Sequence, residues 1–274
     1  MRVADVEAAE ALSAVEFGIS RSPAHRRRWC ARTVHHLTTD AGGCWAADLD
    51  GELVGIAVSC RRGLSWFLAS FAVRADLQGR GLGRRLLDAA LGHGAGCEHG
   101  MISSSSDPKA FRRYRAAGFS MHPQLHLSGR VDRTALPAGL PAFRAGTAAD
   151  RELLDDLDRR RRGAPHGPDH EFLLAYSWLV VLEWPAGTGY AYLDDAGEPL
   201  LLCATDDATA TALLWEAVAS AVPDAHYAIS HVTAANEWAI DVALAARLNP
   251  TTDGYLALRG LAPPTPYLHN GGLL

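Results

Sequence analysis

The chain has 274 residues, 48% of them hydrophobic and 21% charged, the composition of a globular protein with room for one large domain or two ordinary ones. A formal net charge of -5 gives no electrostatic support for binding nucleic acid, and no apolar run reaches the roughly 18 residues of a membrane span. The opening MRVADVEAAEAL carries acids and lacks an apolar signal core, and the five cysteines are scattered with no Cys-x-x-Cys pair, so a cytoplasmic protein with reduced thiols and no bound metal is expected.

Apolar spacing predicts a helix over about Asp5 to Phe17, with Val6, Ala9, Leu12, Ala14 and Val15 roughly on one stripe, and a second over Arg21 to Leu37. The pattern then changes to strands: Cys44 to Leu49, a hairpin turn at Asp50-Gly51, and Leu53 to Cys60. Leu64 to Val73 (LSWFLASFAV) is continuously apolar, as suits a strand buried on both faces. A glycine loop follows, then a helix to about His93, a strand from Gly100 to Ser105, and a helix from Asp107 to Ala117 with Pro108 at its first position. More strand is expected around Leu125 to Val131.

ALPAGLP, Ala135 to Pro141, reads as a linker. Beyond it the order begins again: a helix over Asp150 to Arg162, strands at Trp178 to Glu183, Gly189 to Leu193 and Leu200 to Ala204, and a helix over Ala208 to Ala221. A strand at Tyr227 to Val232, a helix at Glu237 to Leu248 and a strand at Tyr255 to Arg259 complete it. A register of 129 residues relates Asp107, Ala110, Tyr114, Gly118 and Phe119 to Asn236, Ala239, Ala243, Arg247 and Leu248. The chain therefore reads as two diverged copies of one fold. Their expected bounds are 1–134 and 142–274, joined by the linker 135–141.

The loop Gln78-Gly79-Arg80-Gly81-Leu82-Gly83 lies between the apolar strand and a helix beginning near Arg84. The first N–H groups of a helix have no partner inside it and stand at the positive end of its dipole. Glycines let an anion come close, so this is the context of a phosphate cradle, with Arg80, Arg84 and Arg85 adding charge. The third glycine comes one residue early for the dinucleotide fingerprint, and the Gly-Lys-Ser/Thr of a Walker loop is absent.

The pattern Gln/Arg-x-x-Gly-x-Gly/Ala, the preceding Phe71-Ala72-Val73 and the later Tyr114-x-x-x-Gly118-Phe119 resemble the GNAT N-acetyltransferase superfamily over about Met1 to Val131. The resemblance implies an α/β fold of two tandem GNAT-like domains, each a mixed, largely antiparallel sheet with a central, parallel, splayed pair of strands. It implies acetyl-CoA as co-substrate and a small-molecule primary amine as acceptor. The backbone of Phe71, Ala72 and Val73 would pair with the pantetheine arm, and Gln78, Gly79, Arg80, Gly81, Leu82, Gly83 and Arg84 would hold the pyrophosphate. Tyr114 matches the family tyrosine that protonates the leaving thiolate, an acid with an ordinary pKa near 10. Asp107 stands where the family often has Asn, and Asp also caps helices well.

The strand before the loop carries no acid where many relatives place a glutamate. The base is left open among Glu16, His25, His35, a water chain and the Leu274 carboxylate, which an apolar tail could bring to the site. A CoA-responsive binding or regulatory protein without turnover is the alternative reading. In the second copy, Thr205-Asp206-Asp207-Ala208-Thr209-Ala210 replaces the glycine loop, so that copy is expected not to bind CoA. Completing the substrate pocket, stabilising the first copy and forming a homodimer face are the roles left to it. Its tryptophans, Trp178, Trp184, Trp215 and Trp238, are expected in the core. The cluster His93, Cys97 and His99 lacks a fourth ligand, and Arg159 to Arg162 reads as a solvated helix end.

Overall fold

The computed structural model describes residues 1–274. In chain order the elements are α1 (Val6–Phe17), α2 (Pro23–Thr39), β1 (Cys44–Leu49), β2 (Glu52–Arg62), β3 (Ser65–Val73), α3 (Leu82–His93), β4 (His99–Ser104), α4 (Pro108–Ala116) and β5 (Ser120–Gly129). They continue with β6 (Arg144–Ala145), α5 (Arg151–Arg162), α6 (Asp169–Tyr176), β7 (Trp178–Trp184), β8 (Gly187–Leu193), β9 (Pro199–Ala204), α7 (Asp207–Ala219), β10 (Tyr227–Thr233), α8 (Glu237–Ala245), β11 (Asn249–Arg259) and β12 (Tyr267–Leu268). No helix is long and apolar enough to cross a membrane. The chain divides into two compact units, Met1–Ile102 with Leu274, and Ser103–Leu273.

In the first unit the strands run in the order β1-β2-β3-β4. The β1–β2 hairpin closes through Asp50 and Gly51, both at positive φ (54° and 84°), as a two-residue turn of the primed type requires. Helix α2 starts at Pro23, where the missing N–H costs nothing, behind Ser22, whose hydroxyl accepts from the His25 amide. Val6, Ala9 and Leu12 of α1 meet Trp29 of α2 and Ile56 and Ala72 of the sheet in one core cluster. On α3, the Ala90 carbonyl accepts from the Trp66 indole N–H at 2.9 Å, which ties the helix to β3.

The second unit holds the order β12-β9-β8-β7-β6 and, separately, β11-β5-β10. Strands β8 and β9 are covered on both faces. Tyr190, Tyr192, Leu201 and Cys203 pack towards α5 and α6 residues, including Leu154, Leu157 and Leu173. The alternate residues Ala191, Leu193, Leu202 and Ala204 pack with Leu213, Leu214 and Val218 of α7. That two-sided burial is why these strands read as continuous apolar runs. The 129-residue register is exact in the elements: α4 and α8 start at 108 and 237, β5 and β11 at 120 and 249. β5 pairs antiparallel with its own counterpart β11 and, on its other edge, with β10.

Several predicted elements need correction. β5 starts at Ser120, not Leu125, because Pro123 is tolerated beside a register shift in which Gly254 takes φ 64°. β11 starts at Asn249 for the same reason. Apolar spacing does not predict helix α6, the counterpart of α2, since the buried Asp169 and His170 break its apolar stripe. Trp178, expected in the core, is 70% exposed, while Trp215 and Trp238 are buried. The arginine run is only partly solvated. Arg162 is fully buried, and Arg161 donates to the Ala204, Thr205 and Thr265 carbonyls. The predicted linker stretch carries no regular element beyond a single 3-10 turn at Arg133–Ala135, and its Leu136 and Leu140 pack against the core of the second unit.

Candidate functional site

The first unit contains a parallel pair that opens. β3 and β4 are laddered from Ser65↔His99 to Leu68↔Ile102 and no further. On its other edge, β3 remains paired to β2 as far as Val73↔Gly55, with a register shift between Val58↔Ser70 and Ser59↔Leu68. Ala69 is thus the extra residue of a β-bulge, and a bulge bends its strand and raises its twist. The backbone of Ser70 to Val73 therefore has an edge not taken up by the β4 ladder. Phe71, Ala72 and Val73 lie along it, Phe71 half-buried and the other two buried.

The chain then makes a 3-10 turn over Ala75–Leu77 and enters the loop. The Gln78 side-chain amide donates to the Val73 carbonyl at 3.0 Å and to Glu16 at 3.4 Å, and Glu16 accepts the Ala75 N–H at 3.0 Å. Both side chains thus shape the loop, and Glu16, one of the base candidates, is committed to its backbone. Gly79 and Gly81 take φ 78° and 85°, where any other residue is strained, and a Cβ on either would meet nothing within 4 Å. The requirement is therefore conformational, and the space beside both is open.

Gly81 is the N-cap of α3. No side chain caps this helix, and no acid lies in its first turn. The first intrahelical bond of the loop is Arg85 N–H to the Gly81 carbonyl, which leaves the amides of Leu82, Gly83 and Arg84 without helical acceptors. Arg80, Arg84 and Arg85 are exposed around them. An uncapped terminus with positive charge around it has the electrostatics that suit an anion.

Asp107 and Tyr114 lie in the second unit. Asp107 accepts from the Lys109 amide at 2.7 Å and so caps α4. Tyr114 is 4% exposed, with its ring edge-on to Phe119. Burial raises its hydroxyl pKa above the ordinary tyrosine value, against a smaller opposing effect of Arg113, so it is a protonated donor throughout the neutral range. Of the other base candidates, His25 is exposed and His35 half-buried. The tail docks as an apolar segment: Leu273 and Leu274 are buried, and β12 pairs with β9.

The matching terminus in the second copy is closed from within. Asp206 is the N-cap of α7, and its carboxylate accepts the Thr209 amide and the hydroxyls of Thr205 and Thr209, each at 2.8 Å. A Cβ on Gly187 would lie 1.9 Å from the same carboxylate, so glycine is needed there for β8 to pass.

One group of chemically capable residues lies outside the motifs that the sequence displays. Asp158, His166 and His170 are buried together in the second unit with their ligand atoms within 4.8 Å of one another. The spacing Asp-x7-His-x3-His was the available signal. It was hidden because His170 lies on the unpredicted helix α6.

Comparison with known families matches residues 6–119 to the acetyltransferase (GNAT) family. That stretch is similar to a GNAT acetyltransferase domain, and the likeness supports acetyl transfer, for which the family uses acetyl-CoA, as the general class of activity. The fold likeness runs further. A candidate acetyltransferase from Pyrococcus horikoshii is similar over 100% of this chain and 93% of its own, with a TM-score of 0.78 at 14% identity. A GCN5-related N-acetyltransferase from Kribbella flavida matches 94% of this chain and 70% of its own (TM-score 0.59, 17% identity). Eis1 from Mycobacterium abscessus matches 94% and 72% (TM-score 0.55, 16% identity). At these identities the likeness speaks to fold, which is the mixed α/β fold expected from the sequence. No curated protein sequence matches the chain.

Proposed function

We propose that the protein is an N-acetyltransferase that moves the acetyl group of acetyl-CoA to a primary amine by direct attack on the thioester, and that only the first copy binds CoA. The observation that carries this reading is the open entrance of α3, where three amides, two left-handed glycines and exposed arginines converge with no side chain of the protein capping the helix. The free edge of β3 beyond Leu68 is the surface on which the amides of a pantetheine arm would add like a strand. A backbone N–H near Val73 would polarise the thioester carbonyl. Tyr114, held protonated by burial, would return a proton to the departing thiolate.

A second reading, a CoA-responsive binding protein without turnover, draws on one observation. β3 carries no carboxylate, and Glu16 is already bonded to the loop. Calorimetric titration of acetyl-CoA into wild type and Gly81→Asp tests the cofactor site. Micromolar binding at one site per chain, lost in the variant, supports it, and absence of binding by wild type overturns both readings. Release of free CoA in an amine panel then separates enzyme from sensor.

A further inference from the structure

We propose that Asp158, His166 and His170 form a buried three-donor zinc site in the second unit. The Asp158 Oδ2 atom lies 2.8 Å from His166 Nδ1 and 3.1 Å from His170 Nε2, and Asp155 Oδ1 lies 3.5 Å from the same His170 nitrogen. A tetrahedral zinc with bonds of about 2.0–2.2 Å keeps its donor atoms roughly 3.3–3.6 Å apart, and the donor atoms of Asp158, His166 and His170 all lie within 4.8 Å of one another around such a position. Two imidazoles and a carboxylate are a donor set that suits zinc.

The surroundings orient each ligand from behind. The Tyr190 hydroxyl donates to Asp158 Oδ1, the Tyr192 hydroxyl lies 3.1 Å from His170 Nδ1, and the Tyr267 hydroxyl lies 3.5 Å from His166 Nε2. Every donor atom facing the centre thus belongs to a side chain whose other polar atom is held by a tyrosine. That is the arrangement by which outer partners fix the tautomer and angle of metal ligands. Asp155, beside His170, has both oxygens occupied instead, by the Gly167 amide on Oδ1 and by Arg151 on Oδ2. The His166 amide adds a bond to Asp158 Oδ2.

The first unit shows what the second lacks. Helices α1 and α5 have 12 residues each, follow a three-residue 3-10 turn, and end at a left-handed glycine, Gly18 or Gly163. That correspondence sets Glu10, Ser13 and Arg21 against Asp155, Asp158 and His166. In the first unit the Arg21 guanidinium bridges Glu10 and Ser13, both at 3.1 Å, and pins the chain after the glycine onto the helix. In the second unit two carboxylates stand at those positions and an imidazole replaces the guanidinium. The buried Arg162 guanidinium acts on the Tyr267 hydroxyl to lower its pKa, against the larger effect of burial. A zinc ion would supply the bridging cation that Arg21 supplies in the first unit. With Asp158 and His166 fully buried and His170 nearly so, the ion would be structural, taken up as the unit folds.

The test is the metal content of the full, untagged chain after exposure to excess Zn2+ and removal of free ion. One zinc per chain is expected in wild type, with loss in His166→Gln and His170→Gln and retention in His93→Gln. Loading with Co2+ should give the visible absorption of a tetrahedral site. Tyr192→Phe, which leaves all donors in place, should weaken zinc binding roughly 10- to 100-fold. Should the histidine variants fail to fold, the wild-type content and the Tyr192→Phe affinity decide. A wild-type chain that ends with a small fraction of one equivalent, or full zinc in folded His170→Gln, overturns the proposal and leaves the cluster a hydrogen-bonded core.

Discussion

Helices α3 and α7 follow corresponding strands of the two copies and meet the same electrostatic demand in opposite ways. Each ends in a row of amides that favours negative charge. At α7 the chain brings its own anion, Asp206, ringed by Thr205 and Thr209, with the Trp184 indole donating to the Thr209 hydroxyl at 2.9 Å. At α3 it brings none, and Gly79 and Gly81 keep the approach clear. An internal carboxylate makes the helix self-sufficient and shuts it to an external one. An uncapped terminus among three exposed arginines gives up that stability and leaves its amides open, as the proposed CoA site requires. Under the proposed function, the two loops differ in where the negative charge comes from.

The largest effect should come from making the first entrance resemble the second. Gly81→Asp places a carboxylate at the N-cap of α3 and strains the backbone at φ 85°. Acetyl-CoA affinity should fall by roughly a hundredfold or more, since two or three charge-assisted hydrogen bonds are displaced. Equal affinity in calorimetry would remove the loop from the cofactor site. Tyr114→Phe should come next. Turnover should drop on the order of a hundredfold with affinity for acetyl-CoA nearly unchanged. A parallel loss of affinity would make Tyr114 a packing residue only.

The converse change should cost stability and leave binding alone. Asp206→Ala removes an N-cap and two hydroxyl partners, for a loss of about 1–2 kcal/mol in denaturant unfolding. Burial acts to raise the Asp206 pKa, but the bonds from Thr209 and Thr205 outweigh it and hold the group below the usual carboxylate range. A depressed carboxylate stabilises the fold above its unfolded pKa, near 4, and that contribution is lost as pH falls through the folded value. The variant and wild type should therefore converge in acid. A change in acetyl-CoA affinity in this variant would erase the proposed division between the copies.

Much of this contrast is legible in the residues. Gly79 and Gly81 against Asp206 and Asp207 announce an open and a closed terminus, because glycine and aspartate have such different local physics. The repeat is legible in the order of the elements and their 129-residue spacing, although Tyr114, Gly118 and Phe119 have become Ala243, Arg247 and Leu248. What escapes is decided by tertiary context. The bulge at Ala69 that ends the β3–β4 ladder has no residue signature, since alanine fits either side of it. Arg162 looks like one more solvated arginine until α5 turns it inward. His170 is invisible as a candidate ligand while α6 is unrecognised, because the buried polar residues that give the helix its role also break its apolar period.

The smallest expected effect probes the turns that lead into the two corresponding strands, β3 and β9. In the first copy that turn is Gly63-Leu64, with no ionisable group. In the second it is Asp194 to Glu198, and burial, aided by the nearby Asp194 charge, pushes the Glu198 carboxyl up to about 7. A raised carboxylate pKa means that the folded state holds a proton the unfolded state has released. Its penalty is absent below the unfolded value near 4.3, grows as pH rises towards 7, and is complete above that. Glu198→Gln keeps an oxygen to accept the Ala228 amide and cannot ionise. It should stabilise the protein on the order of 1 kcal/mol at pH 8, a figure reduced for solvent screening of a half-buried group, and by almost nothing at pH 5. The same gain at both pH values in urea unfolding would show that the effect comes from packing, and the two turns would then not differ in charge chemistry at all.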